Sequence, residues 1–92
     1  MFAYIKGSLQ EVYPQKVVVE AGGIGYEIKV TQSLVSRLPD KGSMVKLYTY
    51  FNVREDVQEL YGFLNKEEKA IFEKLITVSG IGPKVAMGIL SS

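Results

Sequence analysis

Cysteine and histidine are both absent from this sequence of 92 residues. Their absence removes disulfides, thiolate and imidazole metal sites, the cysteine nucleophile and the commonest general base, and no cofactor is expected. A dominant charge is missing too, since 11 Lys and Arg face 10 Asp and Glu for a net charge of +1. Residues 1–64 hold seven basic and seven acidic side chains, and the single excess charge falls in residues 65–92. A broad basic field is therefore excluded, and any nucleic-acid binding must rest on local geometry. No apolar run is long enough to span a bilayer. The opening Met1-Phe2-Ala3-Tyr4-Ile5-Lys6-Gly7 lacks the charged, apolar and small-residue zones of a signal peptide, so the expected location is cytoplasmic, without a membrane partner. Apolar residues make up 47% of the chain, which suits one folded domain, or one small domain with an appendage.

The most informative stretch is Ser79-Gly80-Ile81-Gly82-Pro83-Lys84-Val85-Ala86. It lies between two segments of helical apolar spacing: Ile71, Phe72, Leu75 and Ile76 before it, and Val85, Ala86, Ile89 and Leu90 after it. Gly80 is expected to end the first helix in a left-handed conformation, Gly82 to cap the second, and Pro83 to open it. Ile81 is an apolar plug between the two. Bare backbone beside a helix N-terminus turns free N–H groups and partial positive charge outward, which suits a phosphate. Lys84 opposes the dipole of its own helix, so its place in the first turn makes sense if an anion comes to the site. The bland alternative is an ordinary corner whose glycines only make a turn; the Pro and Lys that follow favour phosphate binding. The pattern resembles the helix-hairpin-helix element, which grips a DNA backbone without reading bases.

Upstream, the pattern predicts a strand over Phe2 to Val12, with Ala3, Ile5 and Leu9 on one face and a possible bend at Gly7. Lys16 to Glu20 and Ile24 to Val30 form a hairpin around Gly22-Gly23, with Tyr26, Ile28 and Val30 facing in. Thr31 caps a short helix carrying Leu34, Val35 and Leu38. A long strand then alternates Val45, Leu47, Thr49, Phe51 and Val53 against Lys46, Tyr48, Tyr50, Asn52 and Arg54. Gln58 to Leu64 returns beside it, leaving a tip around Arg54-Glu55-Asp56-Val57. Asn65 and Glu68 have capping-box spacing for the helix that leads to the glycine hairpin. The fold class expected is mainly β with appended α: a five-stranded OB-type barrel over residues 1–64, then a helix-hairpin-helix segment over residues 65–92. The second helix reaches Leu90 and the chain stops at Ser92 within a helical turn, so the second unit reads as cut short.

Two side-chain sets remain. Glu55 and Asp56 are adjacent carboxylates on a projecting turn, where solvated turn residues are the commonest reading. A tip offers no walled cleft for acid–base work or Mg²⁺, so no metal is expected. A negative point presented to DNA would instead repel phosphates. Tyr48, Tyr50, Tyr61 and Phe63 could stack bases on a barrel face, but core filling is the simpler role.

Taken together and in order, the strand with Gly7, Glu20-Ala21-Gly22-Gly23-Ile24-Gly25-Tyr26-Glu27, Val53-Arg54-Glu55-Asp56, Leu60-Tyr61-Gly62-Phe63 and Gly80-Ile81-Gly82-Pro83-Lys84 resemble the RuvA family. Its members are bacterial subunits that bind Holliday junctions for branch migration in recombination and repair. The resemblance covers the whole chain and implies a first OB-fold domain, a second domain with two helix-hairpin-helix elements, and a homotetramer that holds the junction open and square. It implies that Ser79, Gly80, Ile81, Gly82 and Lys84 contact DNA, and that Glu55 and Asp56 form an acidic pin at the junction centre. The implied partners are four-way junction DNA, a RuvB-type motor ATPase engaged by a domain beyond Ser92, and a RuvC-type resolvase. No G-x-x-x-x-G-K-[ST] loop is present, so the energy source would lie in the partner. Two other classes stay open. One is a DNA glycosylase/AP-lyase-like hairpin with Lys84 as Schiff-base nucleophile, although only eight residues follow Lys84 and none is acidic. The other is a structural OB-fold interaction module.

Overall fold

A computed structural model gives the fold and describes residues 2–91. Ser92, which the sequence pattern puts in a helical turn, lies outside the described residues. Five strands, β1 (Tyr4–Tyr13), β2 (Lys16–Ala21), β3 (Ile24–Lys29), β4 (Met44–Arg54) and β5 (Val57–Phe63), form a closed barrel in the order β1-β2-β3-β5-β4. Helix α1 (Gln32–Val35) links β3 to β4, and α2 (Lys66–Leu75) and α3 (Pro83–Leu90) follow the barrel. This is the mainly-β, OB-type layout expected from the strand count and the position of the small helix.

Period-two patterning builds the wall. Ile5, Leu9, Val17, Val19, Ile28, Val30, Leu34, Val45 and Leu47 are buried together and fill the barrel. Thr31 caps α1 as expected, its hydroxyl accepting from the Leu34 amide at 3.1 Å. The first strand departs from expectation in two ways. It begins at Tyr4, and Ala3 is exposed rather than inward. Nor is Gly7 the bend: the register with β2 shifts between Leu9 and Glu11, while Gly7 pairs in line with Val45. Gly7 is there for close approach, because a Cβ at this position would collide with the Glu20 carbonyl.

The seam between β3 and β5 is parallel and short, with only Ile28 opposite Leu60 and Lys29 opposite Tyr61. Beyond it β4 and β5 continue as a two-stranded ribbon, paired down to Arg54 opposite Val57. That projection explains why the expected inward alternation of β4 holds at Val45, Leu47 and Thr49 but not at Val53, which is 55% exposed.

A second apolar cluster joins helices to barrel. Phe72 is fully buried with Tyr61, Phe63, Ala86 and Met87, and Tyr50, Leu75, Ile76, Ile81 and Leu90 pack around them. The Phe72 ring lies 5.0 Å from Phe63, 5.3 Å from Tyr50 and 5.4 Å from Tyr61, centroid to centroid. Three of these four aromatics were candidate base-stacking residues, and the structure spends them on helix docking. The predicted inner faces of the helices are only partly realised. Ile71, Val85 and Ile89 are 50%, 52% and 46% exposed, whereas Pro83, Ala86 and Met87 carry the contact of α3. The side chains of Ile71, Val85 and Ile89 are thus left about half exposed.

Candidate nucleic-acid interface

Helix α2 starts where the sequence suggests, with the Asn65 side chain accepting from the Glu68 amide at 2.8 Å. The reciprocal half of the capping box is replaced, because the Glu68 carboxylate pairs with Arg37 at 3.2 Å. The helix stops at Leu75, earlier than a Gly80 terminator requires. The Thr77 and Val78 amides donate to the Lys74 and Leu75 carbonyls at 3.2 and 3.1 Å, tightening the last turn. Gly80 instead closes the next turn, in which the Ile81 amide donates to the Val78 carbonyl at 3.1 Å. Its φ of 86° is the left-handed value a type II turn demands at its third residue. The left-handed glycine is thus present, but it ends a turn rather than a helix.

The second half matches expectation closely. Gly82 is the N-cap of α3 with extended backbone and no side-chain cap, and Pro83 occupies the first turn. Ile81 is half-buried against the second cluster, which fixes the turn to the core. Ser79, Gly80 and Lys84 are exposed, and Gly82 is half-buried. No hydrogen bond engages the amides of Gly82, Lys84 or Val85 among the described residues. They are the orphan donors of a helix start, in the same first turn as Lys84.

A groove of about 1110 Å³ is lined by this hairpin and by the outer part of the β4–β5 ribbon, up to its last pair, Arg54 and Val57. Gly82, Pro83, Lys84 and Val85 line it together with Arg54, Val57, Lys16 and Lys29. Lys16 pairs with Glu27 at 3.6 Å, and Lys29 bonds Glu59. Among the described residues no ion pair engages Arg54 or Lys84, so these two set the sign of the groove. Glu55 and Asp56 form the exposed two-residue turn beyond Arg54, outside the groove itself. Thus the structure brings the hairpin and the root of the acidic tip to one surface, with the carboxylates projecting past it. Arg54, Lys16 and Lys29 were missed as groove residues. Arg54 was discernible from its place next to two carboxylates, but the two lysines looked like ordinary outward strand positions.

Two polar lining residues, Glu59 and Tyr61, are held by hydrogen bonds. The Tyr61 hydroxyl donates to Glu59 at 2.9 Å, and burial, reinforced by that bond, pushes the Tyr61 phenol up to about 12. The bond from Lys29 holds the Glu59 carboxyl below its usual range, against the opposing effect of burial.

A family model described as "RuvA N terminal domain" matches residues 1–62. The chain belongs to the RuvA family. Among curated RuvA proteins, that of Lachnospira eligens is 53% identical over 92 residues, covering 100% of this chain and 44% of the relative. The Solibacter usitatus protein is 53% identical over 91 residues, or 99% of this chain and 46% of the relative. The Ruminiclostridium cellulolyticum protein is 49% identical over 92 residues, covering 100% and 46%. Each is named a Holliday junction branch migration complex subunit. The chain therefore spans about half the length of these RuvA relatives.

Proposed function

We propose that this chain is the junction-holding part of a RuvA-type branch-migration subunit, binding four-way junction DNA by structure and not by sequence. The observation that carries the reading is the shared groove: unbonded amides at Gly82 and Lys84, the Lys84 ammonium, and Arg54 at the root of an exposed Glu55–Asp56 turn. Backbone amides and an ammonium hold phosphates without regard to bases. In this proposal Ser79, Gly80, Ile81, Gly82 and Lys84 grip a junction arm. Glu55 and Asp56 act as an acidic pin, which four subunits of a homotetramer present at the crossover. Residues 1–64 are the barrel domain, and residues 65–92 are the first helix-hairpin-helix element of a second domain. The RuvB-type ATPase supplies the energy, engaged through a region outside these 92 residues, and a RuvC-type resolvase shares the junction.

The role is non-catalytic. A Schiff-base lysine needs desolvation or a neighbouring cation to become nucleophilic, and Lys84 is exposed. Glu59, the one carboxylate lining the groove, is already occupied by Lys29 and Tyr61. Borohydride trapping on an abasic-site duplex should yield no adduct. The main test is a mobility shift of a four-way junction against a linear duplex of equal length, at one salt concentration. Preference for the junction is expected, and equal affinity for both would remove the structure-specific reading.

A further inference from the structure

A cluster on β1, β4 and α2 that shares no residue with the groove is left unused by the junction reading. Tyr4 and Tyr48 are cross-strand neighbours on β1 and β4, as are Lys6 and Lys46 two residues along on the same face. The two rings meet edge to face at 6.3 Å, and the Lys46 ammonium lies 4.2 Å from the Tyr4 centroid and 5.2 Å from that of Tyr48. Lys66, at the start of α2, stands 5.9 Å from the Tyr48 ring. Lys69 completes the wall of a recess of about 390 Å³, where Glu73 is the only acidic lining residue. None of these four lysines makes an ion pair among the described residues.

This arrangement is unfavourable for the isolated fold. Like charges directly opposite on adjacent strands repel, and Lys6 faces Lys46. Tyr4 is 51% exposed and Tyr48 is half-buried beside it, whereas Tyr50, Tyr61 and Phe63 are drawn into the Phe72 cluster. Converging cations around an aromatic pair whose Tyr4 ring is exposed suit a polyanion that also carries flat apolar groups. We propose that this face is a second nucleic-acid surface, and that its ligand is a single strand. Its phosphates would lie against Lys6, Lys46, Lys66 and Lys69, with a base stacked on Tyr4 once Lys46 swings from the ring to a phosphate. A duplex offers phosphates but hides its base faces, so it would leave the tyrosines without a role. An acidic polypeptide would satisfy the lysines but has no rings to stack.

The test is a titration of a labelled oligothymidylate of about twelve nucleotides with the 92-residue chain, over a series of salt concentrations. Four phosphate contacts at about 0.7 each give a slope of log affinity on log salt near −3, and K46E/K66E should bring it to about −1.4 or less. Losing one stacked base in Tyr4→Ala should weaken binding about 5- to 100-fold with little change of slope. K41E, an exposed position lining neither the groove nor the recess, serves as the control and should leave oligothymidylate binding within about two-fold, and K84E should weaken it less than K46E/K66E does. The inference is overturned if the chain does not bind the oligonucleotide, or if K84E weakens it as much as K46E/K66E does. It is equally overturned if Tyr4→Ala has no effect, or if polyglutamate competes as well as oligothymidylate. Failure of junction preference, by contrast, would bear only on the groove and not on this face.

Discussion

Removing the Phe72 side chain should release the hairpin while leaving the barrel intact. Phe72 is fully buried, sits within 5.4 Å of three aromatic rings, and is absent from the cluster that fills the barrel. Truncating a buried Phe to Ala costs roughly 3–5 kcal/mol through lost transfer energy and the cavity left behind. The α2–α3 pair has little to offset that loss. Its other contacts are a few half-buried aliphatics with Ala86 and Met87, and a ten-residue helix is marginal when undocked. Converted to an opening equilibrium, the loss is roughly 150- to 5,000-fold. Native-state hydrogen exchange reads it directly. In Phe72→Ala, amides of α2 and α3 should lose protection by that factor, while those of Val17, Val19, Ile28 and Leu47 hold. Junction binding should fall with the hairpin, since its placement against Arg54 depends on the same ring. Phe72→Leu should recover most of the protection. If barrel amides lose protection equally, or if the helices lose less than about four-fold, the idea of a separately docked hairpin is wrong.

Four further outcomes are expected. Gly82→Val and Lys84→Glu should each weaken DNA binding uniformly across sequences, and Lys84→Ala should flatten the salt slope by about one unit for one lost phosphate contact, read by titration at several salt concentrations. Neutralising the tip in Glu55→Gln/Asp56→Asn should leave stability unchanged and raise affinity for linear duplex more than for a four-way junction; an unaltered ratio would make these plain turn residues. In a spectrophotometric titration Tyr61 should ionise near pH 12. Because its phenol is raised on folding, its contribution is complete below about pH 10, the unfolded value, and is lost as pH climbs towards 12; Glu59→Gln should lower that midpoint. Gly7→Ala should destabilise the barrel by more than about 2 kcal/mol in urea unfolding, because the new methyl group would displace the Glu20 carbonyl rather than a mobile side chain.

The barrel was legible because alternation, paired glycines and strand spacing are local signals, and Ile5, Leu9, Ile28, Val30, Val45 and Leu47 fall where the pattern puts them. The hairpin was legible for the same reason at Gly82 and Pro83. Gly80 was only half legible: one left-handed residue fits both a helix stop and a type II turn, and which occurs depends on where Thr77 and Val78 bond. The helix faces misled at Ile71, Val85 and Ile89 because periodicity identifies a stripe but not how much of it a neighbour covers. Nothing in the order of residues could show that Lys16 and Lys29 face Lys84 across a groove, since that proximity comes from barrel closure. The tyrosines illustrate the same limit. Tyr48 and Tyr50 share a strand face and look equivalent, yet one packs under Phe72 and the other remains beside Tyr4.

The short seam between β3 and β5 has a mechanical side. Past Leu60 no third strand pairs with the β4–β5 ribbon among the described residues, and the bond from Lys29 to Glu59 ties only its first step to β3, over the four residue steps from Leu60 to Asp56. At about 3.4 Å per residue this is a lever some 14 Å long, clamped at one end. Two-stranded ribbons twist more readily than closed sheets, so the lever is soft in torsion and bending while its root is stiff. A load applied at Glu55 and Asp56 would therefore be absorbed as deflection of the arm and would hardly reach the barrel core. The chain can hold a pair of charges against a moving object as a spring holds a follower against a cam. Lengthening the seam, by extending the pairing of β3 with β5 towards Val57, would turn that spring into a rod.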